Sequence, residues 1–239
     1  MFVKKKTSIT FSCTQENRII SQALPPINTS KCYPSWFQKL KPVYKRIEQD
    51  YNIEVDSPTV RSCAGIKNTL TNGIILPMWC DLVIDVYPDK SFNYLFSHNN
   101  SSGTIHDSKQ FGEFAPEYSH LKLQSPWVAE ASKPTNFYAT APFYHHHGIV
   151  NYTVMPGFLD FYYSHTTNVF ILFKHKPEPY RIFIPAGFPL VQYISTSDTF
   201  FDIKTKVISK DEWVGKDTRT LTFVKSYSNF VKWFKKNEH

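Results

Sequence analysis

The pattern of hydrophobic and polar positions becomes clearly extended at Ile74. Residues 74–87, IILPMWCDLVIDVY, are dominated by β-branched and aromatic side chains, which strands favour. Pro88-Asp89-Lys90 then supplies turn chemistry, so Phe92–Phe96 is predicted to return as the partner strand. Apolar residues also alternate within residues 1–12, which predicts an N-terminal strand.

Two segments instead carry apolar residues at helical spacing. In SPTVRSCAGIKNTLTNG, Ser57 is placed to cap a helix, Pro58 suits its first position and Asn72-Gly73 supplies the stop. These signals predict a short helix near 58–71. A second segment, near 220–236, has an apolar face with lysines elsewhere, as in a helix that covers a sheet. Its apolar positions are Phe223, Tyr227, Phe230, Val231 and Phe234.

Short predicted strands follow one another from residue 121 onward. Their sequences are LKL, PWVAEA, FYATAP, GIVNYTVM, NVFILFK, RIFIP and PLVQYI, and turn segments such as SKPTN and KPEP separate them. The polar stretch 97–119 is predicted to be a long surface loop. This spacing favours a mainly β fold with minor α, built on an antiparallel sandwich or barrel-like core.

The domain organisation follows from where the prolines and apolar residues lie. Residues 1–56 contain the proline-punctuated LPPINTSKCYPSWFQKLKP and are predicted to form an extended N-terminal arm. Residues 57–239 are predicted to form a single β-rich domain with a C-terminal covering helix. The 239 residues are 41% hydrophobic and 16% aromatic, which is enough apolar side chain for a sizeable core.

The net charge of +7 raises the question of a nucleic-acid partner. The lysines cluster near the two ends of the chain, at residues 4–6 and 225–236, while the stretch between them is mixed in sign. No zinc-finger spacing, helix-turn-helix pattern or RNA-binding aromatic signature accompanies them. We therefore expect no nucleic-acid partner.

The cysteines and the N-terminal sequence bear on where the protein works. No apolar run approaches the length of a membrane span, and MFVKKKTSITFSC lacks the apolar core of a signal peptide. We therefore expect no membrane association and synthesis in a reducing cytosol. Cys13, Cys32, Cys63 and Cys80 form no CxxC pair, so buried free thiols are predicted, with a disulfide or a zinc set as the alternative.

Two motifs in the second half of the chain resemble one known group. PGFLDFYY at 156–163 and FIPAGFPLVQYI at 183–194 are similar to adjoining motifs of the dUTPase and dCTP-deaminase group. In that group a Gly-x-x-Asp hairpin precedes a strand pair that ends in a Gly-x-x-x-x-Gln strand. The resemblance implies a β-clip or distorted β-barrel core.

The resemblance also implies roles for individual residues. Gly157 would let the chain turn tightly, Asp160 would orient a water and Tyr163 would lie under a deoxyribose. Gly187 and Gln192 would belong to the structural strand motif. The phosphate-binding Arg-Ser-Gly motif is missing, however, since the corresponding region reads YATAPFYHHHG, and the tail FVKWFKKNEH replaces a glycine-rich flap. The resemblance therefore implies the fold without its phosphate-binding motifs.

The order of motifs along the whole chain gives a second resemblance. YPSWFQKL, SPTVRSCAGIKNTLTNGIILPMWCDLVIDV, SPWV, FYATAP, MPGFLD, IPAGFPLVQYI and an aromatic-lysine tail follow one another. This order resembles an uncharacterised family of tailed-bacteriophage proteins. It implies a phage origin and no established activity.

Three consecutive histidines raise the question of a metal site. In an extended segment His145 and His147 share one face and His146 takes the other, so two ligands are available there. A third would have to come from elsewhere, and the candidates are His120, Asp160 and His165. The alternative is that these are hydrogen-bonded histidines at the rim of an interface. Neither a metal nor another cofactor is assigned.

Any ligand pocket is predicted where the YHHHG segment, the PGFLDFYY hairpin and the strand ending at Gln192 meet. The candidate ligand-binding residues are His145, His147, Asp160, Tyr163 and Gln192. The alternative is that the aromatic residues of these segments close a subunit interface.

Two functions follow from these observations. The first is a phage-encoded, non-enzymatic protein that self-associates, in a homo-oligomer such as a trimer, and binds another phage or host protein. It would work in the virion or the host cytoplasm. The alternative is a divergent dUTPase-like nucleotide-binding hydrolase or deaminase that uses Asp160 and Tyr163. The missing phosphate-binding motif favours the first.

Overall fold

The computed structural model describes residues 5–111, 114–145, 150–197 and 199–222, and they are mainly β. The strands are β1 Lys5–Thr14, β2 Ile27–Asn28, β3 Val43–Glu48, β4 Ile53–Pro58, β5 Ile74–Pro77, β6 Leu82–Val86, β7 Phe92–Phe96, β8 Ser102–His106, β9 Tyr118–Gln124, β10 Val128–Ala131, β11 Asn136–Thr140, β12 Thr153–Val154, β13 Gly157–Asp160, β14 Val169–Lys174, β15 Tyr180–Ile184, β16 Pro189–Ser195 and β17 Thr199–Ile208. The α-helices are α1 Arg18–Ala23, α2 Ser35–Lys39, α3 Ala64–Thr71 and α4 Lys210–Thr222. The predicted mainly β class with minor helix is confirmed.

The strands of the described ranges form five sheets. A five-stranded sheet has the order β13-β11-β16-β5-β2 and a four-stranded sheet the order β12-β14-β9-β8. Two three-stranded sheets have the orders β10-β1-β17 and β15-β6-β7, and β3 and β4 form a hairpin. All pairs are antiparallel except β1 with β17. No closed barrel forms within these ranges.

The first strand, β1, lies in the middle of a sheet and not in an outlying arm. It pairs with β17 in parallel along its whole length, from Lys5 opposite Thr199 to Thr14 opposite Ile208, and with β10 on its other side. The side chains of Ile9 and Phe11 are fully buried. The beginning of the predicted N-terminal arm is therefore part of the core.

The hairpin of β3 and β4 moves the start of the predicted helix. Ser57 lies in β4 opposite Tyr44, so it does not cap the helix. Thr59 instead accepts a hydrogen bond from the Arg61 amide (3.3 Å) and caps a 3-10 turn, after which α3 begins at Ala64. The helix ends at Thr71, where Asn72-Gly73 predicted a stop.

Two other predictions, the loop at 97–119 and the C-terminal helix near 220–236, differ from the structure in detail. The stretch predicted as a loop at 97–119 contains β8, an edge strand whose polar side chains give no alternating signal. The C-terminal helix is present, but it begins at Lys210, and residues 223–236 of the predicted helix lie outside the described residues. Its Trp213 indole donates to the Pro126 carbonyl (3.1 Å), so α4 packs beside β10 as a covering helix.

Aromatic side chains join the sheets into one core. Phe161, fully buried, contacts the ring of Phe11 edge to face with centroids 5.9 Å apart. It also lies 5.1 Å from the Tyr193 ring and 5.3 Å from that of Phe137. Trp127 packs edge to face on Phe11 at 6.4 Å. The PGFLDFYY motif therefore supplies a central core residue.

The described residues bear on two predictions, the state of the cysteines and the membrane span. All four cysteines are free thiols, and burial raises the pKa of Cys13 and Cys80. Cys13 and Cys80 are buried as predicted, whereas Cys32 is half-buried and Cys63 is exposed. Within the part of the chain that is described, no helix has the length and apolar character needed to span a membrane.

Candidate functional site

The carboxylate of Asp160 is part of the turn after β13. One of its oxygens accepts the Thr135 amide proton and the other accepts that of Tyr162, both at 2.9 Å. Asp160 is only 6% exposed, so in the folded protein the carboxylate takes the place of water as the hydrogen-bond acceptor of these two amides. The arrangement is that of a turn-forming aspartate, whose side chain satisfies nearby main-chain groups.

Tyr163 and Gln192 are also held inside the fold. The Tyr163 amide donates to the Asp160 carbonyl (3.1 Å), and its ring, 5% exposed, packs edge to face on Tyr162 with centroids 5.0 Å apart. Gln192 is 2% exposed and donates from Nε2 to the Thr69 carbonyl of α3 (2.7 Å). Gln192 therefore fixes α3 to β16.

The histidine segment is described only at its beginning. His145 ends a 3-10 turn, where its amide donates to the Pro142 carbonyl (2.9 Å). Its neighbour Tyr144 accepts the Trp36 indole proton through its carbonyl (2.8 Å), so this turn packs beside α2. His147 and His146 lie outside the described residues. Among the residues that are described, no three His, Cys, Asp or Glu side chains are grouped so as to hold a metal ion.

A cavity of about 380 Å³ lies against the five-stranded sheet. Its walls come from residues 154–159, from Val169 and Phe170 of β14, and from Val191 and Tyr193 of β16. The hairpin and the Gln192 strand thus meet at one cavity. Asp160, Tyr163 and Gln192 themselves are outside its lining, because their side chains serve the turn, the core and α3.

The polar part of the cavity wall is formed by residues that the sequence did not single out. Ser164, Thr166 and Asn168 line it, in the link between β13 and β14. Burial raises the pKa of Tyr193, so its hydroxyl stays protonated. The sequence signal that could have indicated these residues is the run SHTTN between two apolar strands. Such polar clusters mark loops that carry side-chain hydrogen bonds. The cavity offers hydroxyl and amide groups but no charged side chain.

The outer face of the same sheet exposes aromatic rings. Phe158 of β13 is 74% exposed and lies opposite Tyr138 of β11, with ring centroids 5.1 Å apart. Because side chains alternate along a strand, their neighbours Leu159 and Phe137 face the core. Within the described ranges β13 pairs only with β11, so these rings lie at the edge of the sheet. Phe143, beside the histidines, is 78% exposed.

Comparison of the chain with protein-family models, with curated proteins and with solved structures found no match in any of the three.

Proposed function

We propose that this protein is a non-enzymatic binding protein that self-associates through the outer edge of its five-stranded sheet. The observation that carries the proposal is the exposed ring of Phe158 on the edge strand β13, which packs on the half-buried ring of Tyr138. Large aromatic side chains are enriched at the centres of protein interfaces, where they bury much area and lose little side-chain entropy. A single strand edge also presents unpaired backbone groups to a second chain.

A second copy is the partner to which we commit. A twofold contact brings the same patch of both subunits together, so each ring pair would cover the other. The β-clip resemblance supports this choice, because folds of that kind often associate through their sheets. The resemblance to tailed-phage proteins extends the proposal to a phage accessory or virion component, with a phage or host protein as a further partner.

The state of Asp160 argues against the alternative hydrolase or deaminase. Both carboxylate oxygens accept main-chain amide protons and Asp160 is only 6% exposed, so this carboxylate serves the turn and does not face an open site. We expect dUTP or dCTP, with magnesium or zinc, to leave the melting temperature unchanged. A ligand that binds only the folded state must raise it. A concentration-dependent rise with either nucleotide would favour the alternative.

Substitution of Phe158 by serine is expected to weaken self-association about tenfold or more, since central aromatic residues of an interface contribute at this level. The ring is mostly exposed, so folding should be little affected. Sedimentation velocity over a range of micromolar concentrations measures the change. The wild-type chain should sediment above its monomer mass of 27.8 kDa.

Phe183→Ser is the matched control. Phe183 is also an exposed phenylalanine, 58% accessible, on the edge strand β15 of a different sheet. It should leave the association constant unchanged. A wild-type protein that stays monomeric at every concentration contradicts the proposal. So does an oligomer that Phe183→Ser disrupts and Phe158→Ser does not.

A further inference from the structure

The hairpin of β3 and β4 is exposed on both of its faces. Within the described ranges its two strands pair only with each other. Five of the six residues of β3 are exposed and the sixth is half-buried, and in β4 only Ser57 is buried. Side chains alternate between the two faces of a strand, so exposure at successive positions means that both faces meet solvent. The outer edge of each strand also presents unpaired backbone groups.

Such a hairpin lacks the contacts that usually stabilise one. Two strands alone are marginally stable in water, and a third strand or a covering element is normally needed. The hairpin still exposes large apolar side chains, since Ile47 is 65% and Ile53 53% exposed. Its turn is well defined: Asn52 has φ 51°, and the Tyr51 amide donates to the Glu48 carbonyl (3.3 Å). The hairpin is therefore fixed in register while its apolar surface stays uncovered.

The charges along β4 oppose pairing of this strand with its own copy. A twofold axis between two identical antiparallel strands places one residue opposite its copy and the two neighbours of that residue opposite each other. An axis at Val55 would place Glu54 opposite Asp56 twice, and an axis at Glu54 or Asp56 would place that carboxylate opposite itself. Like charges directly opposite each other are destabilising. The edge of β4 is therefore protected against self-pairing.

The charges along β3 favour one register of self-pairing. An axis at Lys45, Arg46 or Glu48 would place that charge opposite itself. An axis at Ile47 would place Arg46 opposite Glu48 on both sides of the axis and Ile47 opposite Ile47. Cross-strand pairs of opposite charge and of β-branched residues both stabilise a sheet. The edge of β3 is therefore complementary to itself in this register.

The side chains of β3 already lie in positions that suit this register. The Arg46 guanidinium lies 2.8 Å from a Glu48 carboxylate oxygen of the same strand. Pairing would bring two such ion pairs side by side, so that four charges alternate in sign on one face. Lys45 is bound instead to Asp56 across the hairpin (2.9 Å), which keeps its charge away from this group.

We propose that β3 pairs with β3 of a second copy, antiparallel and centred on Ile47. Two hairpins would then form one four-stranded sheet that buries the exposed Ile47 side chains against each other. Three observations carry the proposal together: the uncovered hairpin, its apolar exposed residues and the charge pattern that is complementary on β3 alone. This contact is separate from the one proposed at β13. Two twofold contacts on one subunit link copies in series, into assemblies larger than a dimer.

The Phe158→Ser protein isolates the β3 contact, because its β13 contact is weakened. In sedimentation velocity this protein should show a concentration-dependent equilibrium between monomer and dimer with no larger species. The wild-type chain should form larger species as well. If wild type and Phe158→Ser form the same dimer, the β13 contact fails and the β3 contact stands.

Charge reversal in the Phe158→Ser protein tests the register. Arg46→Glu alone or Glu48→Arg alone should weaken the dimer about tenfold or more, since two pairs of opposite charge become pairs of like charge. A mixture of the two variants should associate as tightly as the Phe158→Ser parent, because an acidic edge then meets a basic one. Lys67→Glu is the matched control for Arg46→Glu. Lys67 is exposed on α3, and the same charge change there should leave association unchanged.

Disulfide cross-linking in the same protein gives a second measurement. Directly opposite Cα atoms of an antiparallel pair lie about 4.5–5.5 Å apart, which a disulfide can span. Ile47→Cys should therefore give a cross-linked dimer on mild oxidation. Ile53→Cys, similarly exposed but on β4, should cross-link no more than the parent, whose exposed Cys63 sets the background.

Three results would overturn the proposal. One is a Phe158→Ser protein that stays monomeric at every concentration, which would leave the hairpin edge to a strand of a different protein. Another is a mixture of the Arg46→Glu and Glu48→Arg variants that associates no better than either alone. The third is equal cross-linking through positions 47 and 53, which would indicate random collision.

Discussion

Substitution of Gly73 by alanine is expected to destabilise the fold by more than about 4 kcal/mol, in the range reserved for severe backbone conflicts. Gly73 has φ +115°, which side-chain-bearing residues rarely adopt. An added Cβ would lie 2.0 Å from the Tyr193 carbonyl oxygen and 2.9 Å from its carbon. Those atoms are β16 backbone, so relief requires breaking the β5–β16 pairing that begins at Ile74 opposite Tyr193. Urea unfolding measures the loss.

The chain supplies two matched glycine controls. Gly157 has no atom within 4 Å of an added Cβ and no positive φ, so Gly157→Ala should change stability by less than about 0.5 kcal/mol. The tight-turn role implied for Gly157 by the resemblance does not need a glycine here. Gly215 lies in the exposed helix α4, where alanine should stabilise by about 0.5–1 kcal/mol. A Gly73→Ala protein that unfolds with the wild type contradicts the clash.

Replacement of Asp160 by alanine should destabilise the protein by roughly 2–5 kcal/mol, because two buried amide donors lose their acceptor. The donors are the amides of Thr135 and Tyr162. Asp160→Asn keeps one side-chain acceptor oxygen and should lose about half as much. Urea unfolding of the three proteins at one pH gives the comparison.

The series also separates the two interpretations of this carboxylate. A catalytic aspartate, poised for chemistry, would be removed with little loss of stability or with a gain. Equal stability of Asp160→Ala and the wild-type protein would therefore contradict the turn-forming role and revive the enzymatic alternative.

Local patterns in the sequence carried much of the fold. Phe92–Phe96 was predicted as the partner of the preceding strand and pairs with β6 antiparallel, since a short turn fixes both neighbours. The pairing of β1 with β17 was not predictable, because register between distant strands depends on packing and not on local propensity. The start of α3 was misplaced for a related reason: Pro58 is compatible with a helix start and with a strand end.

The candidate site, like the fold, could be predicted from the sequence only in part. Asp160 is identified as a candidate from its motif, but only the positions of the Thr135 and Tyr162 amides show that its carboxylate belongs to the turn.

The parallel pairing of β1 with β17 has a consequence for synthesis of the protein. The ribosome makes β1 long before residues 199–208, which pair with one of its two hydrogen-bonding edges. Until those residues emerge from the ribosome, one edge of β1 is unpaired. The side chains of Ile9 and Phe11, which are fully buried in the folded protein, then lack part of their packing. A contact of such large sequence separation slows folding, since a long loop must close before the pairing stabilises it. The nascent chain is therefore exposed to aggregation and to chaperone capture until residues 199–208 have been made and have paired with β1.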